Sequence, residues 1–93
     1  MTAMRVSAAA AVLLAISTPM HAQTYPNRTV QIINPTQAGA TTDVLARVLA
    51  AGMASRLGQQ FVIVNRAGAG GAIGTAAAAR ADADGYTLWF GAI

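Results

Sequence analysis

Asn65-Arg66-Ala67-Gly68-Ala69-Gly70-Gly71-Ala72-Ile73-Gly74 is the stretch whose reading decides the fold. The apolar run Phe61-Val62-Ile63-Val64 leads into it, and an alanine-rich helical run, residues 75–81, leads out. The pattern is therefore strand, glycine-rich turn, helix start. Glycines at such a junction let backbone N–H groups approach a ligand, because no Cβ stands in the way. The helix start adds unpaired N–H groups and a partial positive charge. Together these suit an anion such as a carboxylate or a phosphate.

Upstream, Val30-Gln31-Ile32-Ile33-Asn34 is a β-branched run that predicts a first strand. Residues 35–42 form a loop of Pro, Gly and Thr. Thr41 or Thr42 can cap the following helix, with Asp43 favourable in its first turn. Over residues 43–57 the pattern is helical. Leu45, Leu49, Met53 and Leu57 recur every four residues, Val44 and Val48 widen the stripe, and Arg47 and Arg56 fall off it toward solvent. Gly58 is placed to end that helix. Downstream, a second helix is expected over 71–81. Asp82-Ala83-Asp84-Gly85 reads as a turn, and residues 86–90 as a third strand with Trp89 and Phe90 in the core. The fold class is thus α/β, a βαβαβ unit whose strands pair in parallel. In such open sheets ligands sit beyond the carboxyl ends of the strands, which here carry residues 35–42 and 66–72.

The N-terminus reads separately. Arg5 gives a positive start, residues 6–16 are apolar but too short for the ~20 residues a membrane helix needs, and Ser17-Thr18-Pro19 breaks the run. With Ala22 before Gln23, this is the layout of a secretory signal peptide over residues 1–22, although Met20 is larger than the residue usual at that place. Residues 23–93 are then the exported part, expected outside the cytoplasmic membrane.

Composition narrows the chemistry. The net charge of +3 comes from six scattered arginines and only three acids, Asp43, Asp82 and Asp84. Without aromatic interleaving this is a poor nucleic-acid surface. There is no cysteine, and the one histidine, His21, lies in the leader, so neither a thiolate nor a histidine metal site is expected. Asp43 has no second carboxylate or histidine beside it in sequence, which leaves acid/base and nucleophilic catalysis unsupported. The spacing G-x-G-x-x-x-G, after the second strand and with no acidic residue ending the next one, departs from the dinucleotide fingerprint. A nucleotide-binding oxidoreductase fragment is the alternative this leaves, together with a truncated chain that has no function. Gly70 and Gly74 can also be read as a purely structural packing pair.

Tyr25-Pro26-x-Arg28, the strand ending in Pro35, Gly39-x-x-x-Asp43, Leu57-Gly58-Gln59, Val64-Asn65-Arg66-x-Gly68-Ala69-Gly70-Gly71-x-Ile73-Gly74 and Asp84-Gly85-Tyr86-Thr87-Leu88 occur in one order. In this the chain resembles the N-terminal part of the Bug-type solute-binding receptors of the tripartite tricarboxylate transporter system. The resemblance implies a periplasmic binding protein of type II-like architecture, in which two α/β domains close on a small di- or tricarboxylate. It implies no enzyme activity and no cofactor, and the membrane permease subunits as partners. On this likeness the second domain and the strand that completes the first would lie beyond the present chain. The ligand-binding candidates are Thr36, Gly39, Ala40, Thr41, Thr42 and Asp43 on the first loop, and Ala69, Gly70, Gly71 and Ala72 on the second. Two departures from the family pattern stand out: Thr36 where an aromatic residue is usual after the proline, and Gly39-Ala40 where two glycines are usual.

Overall fold

A computed structural model describes residues 24–92. The signal-peptide reading falls outside them. Three strands form one sheet: β1 (Val30–Asn34), β2 (Phe61–Asn65) and β3 (Thr87–Trp89). The order is β2-β1-β3 and both pairings are parallel. Helix α1 (Thr41–Leu57) links β1 to β2; a 3₁₀ turn (Ala69–Gly71) and helix α2 (Ala72–Arg80) link β2 to β3. The βαβαβ expectation holds, with β1 and β2 at their expected bounds.

The register assigns the faces. Ile32 pairs with Ile63 and Leu88, and Asn34 with Asn65; Ile33 pairs with Val64 and Trp89. Because side chains alternate along a strand, these two sets point to opposite sides. Asn65 bonds to Asp43 of α1, whereas Trp89 Nε1 donates to Thr75 Oγ1 of α2 at 3.1 Å. The helices therefore cover opposite faces. The central strand is the one buried on both: Val30, Ile32, Ile33 and Asn34 are buried, while Val62 and Trp89 on the flanking strands are exposed at 41% each. Trp89 is thus half in solvent rather than in the core, fixed by one hydrogen bond at the sheet margin.

Helix α1 departs from its expected orientation. Its buried residues are Asp43, Ala46 and Ala50, while Val44, Leu45, Val48, Leu49 and Leu57 are all exposed. The four-residue leucine stripe does not face the sheet. Small alanines do, because a helix lying on branched strand residues such as Ile32 and Ile63 packs closest through its smallest side chains. Arg47 is not simply solvated either: its guanidinium donates to Asp43 and to Asn65. Gly58 ends the helix as expected, in the left-handed conformation with its N–H on the Ala54 carbonyl.

At the opposite end of the sheet the lead-in to β1 is clasped to the turn before β3. Tyr25 Oη donates to the Gly85 carbonyl, and Tyr86 Oη donates to Asn27 Oδ1 at 2.7 Å. Arg28 pairs with Asp84 at 3.0 Å and lies 3.8 Å over the Tyr86 ring. The Tyr86 N–H, then Arg28, hold the Asp84 carboxyl below its ordinary range.

Candidate functional site

Both glycine-containing loops leave the carboxyl ends of adjacent parallel strands, so they share one edge of the sheet. The contact is direct. Arg66 N–H donates to the Asn34 carbonyl at 2.9 Å, continuing the β1–β2 ladder to the mouth of the loops. Asn65 Nδ2 donates to the Thr36 carbonyl at 3.4 Å and to Asp43 Oδ1 at 2.8 Å. Asn65 is a tie between the loops that the sequence reading did not single out. Its place as the last strand residue before the glycine turn was the available signal.

Asp43 is the hub of the first loop. One carboxylate oxygen accepts from Asn65, the other from Gly39 N–H at 2.9 Å and Arg47 Nε at 3.0 Å. The Gly39 amide, then Asn65, then Arg47 lower its pKa from 3.8 to about 2. The residue is 2% exposed. These bonds let Asp43 order the first loop. Gly39 takes φ +88, a conformation glycine adopts without cost, which lets its amide turn back onto Asp43.

The cap is the next difference. Neither Thr41 nor Thr42 caps α1; the cap position is Ala40, in extended conformation, with no side-chain hydrogen bond. A threonine cap must lie outside the helix, and the helix already begins at Thr41. Its first bond runs from Val44 N–H to the Ala40 carbonyl. The amides of Thr41, Thr42 and Asp43 are therefore the donors that a helix start leaves without an intrahelical partner. Gly39 and Ala40, expected as donors, spend their amides on Asp43 and on the Gln37 carbonyl. The anion-facing capacity of this corner moves two residues into the helix.

A similar sorting applies at the second corner. Gly71 N–H bonds to the Gly68 carbonyl and Ala72 N–H to the Ala69 carbonyl, both inside the 3₁₀ turn. The Gly70 amide is engaged by neither. Gly70 has φ +65, and a Cβ there would meet nothing within 4 Å. Gly74 is different: a Cβ would stand 2.6 Å from the Arg66 carbonyl and 2.9 Å from Pro35 Cα. The packing role weighed for both glycines belongs to Gly74, which lets α2 sit against Pro35. Ala69 carries φ +49 in the same turn. A shallow hollow beside this corner is lined by Arg66, Ala72, Ile73, Ala76, Ala77 and Arg80, and another lies against Ala50, Ala54 and Phe61.

No cluster of three or more potential metal-ligating side chains occurs among the described residues. The model of the tripartite tricarboxylate transporter family receptor matches residues 45–93, just over half of the chain. The chain belongs to this receptor family. Protein BugT of Bordetella pertussis (strain Tohama I) is 56% identical over 73 residues, which is 78% of this chain and 22% of BugT. A Rhodopseudomonas palustris structure with adipate superimposes with a TM-score of 0.70 at 44% identity, over 71% of this chain and 22% of that one. MatC from the same organism, with bound malate, gives 0.67 at 43% identity, over 70% and 22%. The receptor-family segment described here thus spans roughly a fifth of the length of these relatives. The family is a receptor family, and solved neighbours include the periplasmic binding protein BugD and a TctC solute-binding protein from Polaromonas, not enzymes.

Proposed function

We propose that this chain is the first-domain segment of an exported receptor that captures a small di- or tricarboxylate in the periplasm and delivers it to the permease subunits of a tripartite tricarboxylate transporter. The observation that carries this reading is the uncapped start of the 17-residue helix α1. Its amides at Thr41, Thr42 and Asp43 stand at the same sheet edge as the Gly70 corner. A carboxylate placed there completes the helix start and lies at the positive end of its dipole, without any proton transfer. The negative charge of Asp43 is offset by Arg47, so it does not repel such a ligand. Closure of a second domain over this edge would strip water from these contacts and strengthen them. Relatives with adipate and with malate, together with the leader-like residues 1–22, support the same reading.

The test is calorimetric titration of the full-length receptor carrying this segment with citrate, succinate, aspartate and nicotinate. Binding of at least one acid is expected. Absence of heat with all four, in a folded protein, counts against the reading.

A further inference from the structure

We propose that Thr36 makes the site selective for a hydroxylated carboxylate, its side-chain oxygen accepting a hydrogen bond from the ligand's hydroxyl. The inference rests on the carboxylate reading above and names the ligand class within it.

The direction of the hydrogen bonds around Thr36 decides the matter. Its backbone N–H lies 3.1 Å from one terminal atom of the Asn34 side chain. An amide N–H only donates, so that atom is the oxygen, Oδ1. Thr36 Oγ1 lies 2.7 Å from the same oxygen. An amide oxygen carries no proton, so the threonine hydroxyl must donate there. A hydroxyl has one proton and two lone pairs. With the proton committed to Asn34, Thr36 presents only an acceptor to anything that reaches it.

Asn34 is held through Oδ1, while its buried Nδ2 has no partner among the described residues. Asn34 is fully buried in the central strand, so its amide cannot swing to solvent. The Thr36 carbonyl is held by Asn65 Nδ2 at 3.4 Å, and Thr36 itself is only partly buried. It stands two residues beyond β1, at the edge where the amides of Thr41 to Asp43 begin α1. A carboxylate oxygen is also acceptor-only, and against Thr36 Oγ1 it is repelled or breaks the Asn34 bond. A ligand hydroxyl supplies the missing proton. The two groups therefore divide the ligand: carboxylate to the helix amides, hydroxyl to Thr36.

The experiment is titration of the full-length receptor with two matched pairs, malate against succinate and citrate against tricarballylate. Each pair differs by one hydroxyl. The hydroxylated member is expected to bind more tightly by roughly 5–10-fold, the scale of one net hydrogen bond. Thr36→Val, nearly the same shape without the oxygen, brings the ratio close to one. Thr36→Ser restores the preference. Circular dichroism checks that each variant is folded; where Thr36→Val is not, the unsubstituted protein and Thr36→Ser still give the ratio. No preference within either pair, or a preference that survives Thr36→Val, overturns the proposal while leaving carboxylate capture standing. Failure of all four acids to bind overturns both.

Discussion

At Gly74 one added methyl would collide with the Arg66 carbonyl and the Pro35 backbone, whereas at Gly70 it would project into open space. The two glycines of one motif thus carry different burdens. Gly74→Ala should lower the stability of the full-length receptor by about 1–3 kcal/mol, the usual cost of overpacking a close contact, as read by urea denaturation. Gly70→Ala should cost about 1 kcal/mol through its left-handed backbone alone, with no steric shift of α2. Equal losses at both positions would mean that the Pro35 contact is not the constraint described. The sequence announced a strand-to-helix turn without dividing these roles, because spacing along the motif does not reveal which glycine meets Pro35 across the sheet.

For helix α1 the existence and the C-terminal end were legible; its start, two residues earlier than expected, and its buried face were not. Apolar residues occupy almost every side of it, from Val44 and Leu45 to Ala46, Val48 and Ala50, so a four-residue repeat cannot tell which face meets the strands. The polar anchor at its start was legible only as an acid in a first turn; that Asp43 closes a loop through Gly39 and Asn65 needs the neighbouring strand. Its titration gives a prediction. The folded pKa of about 2 lies below the ordinary 3.8, so the ionised form is the one stabilised by folding. Its contribution is complete above pH 3.8 and is lost as the pH falls toward 2. Denaturant titrations across that window should show stability falling with acid, and Asp43→Asn should flatten the fall while lowering stability at neutral pH. Asp84, also held ionised, keeps some slope in the variant. An unchanged acid limb in Asp43→Asn would exclude the network as its source.

Across the molecule, the order of elements and the meeting of two corners at one edge followed from alternating strand and helix patterns. The tie between the two loops did not, since Asn65 reaches Thr36 and Asp43 only when β1 and β2 stand side by side. Among the described residues few apolar side chains are buried, chiefly Val30, Ile32 and Ile33, which makes a small core. The 93-residue chain by itself should therefore show no cooperative heat-absorption peak in scanning calorimetry; a sharp, reversible transition would refute this. The strand order has one more outcome, for biogenesis. Of the three strands the middle one is made first, yet Gln31 finds its second neighbour only when Thr87 has emerged. Pairing across such a sequence distance is slow to nucleate. A nascent polypeptide built this way keeps its middle strand half-paired until the third is made, and the Arg28–Asp84 clasp can shut only once Asp84 has emerged.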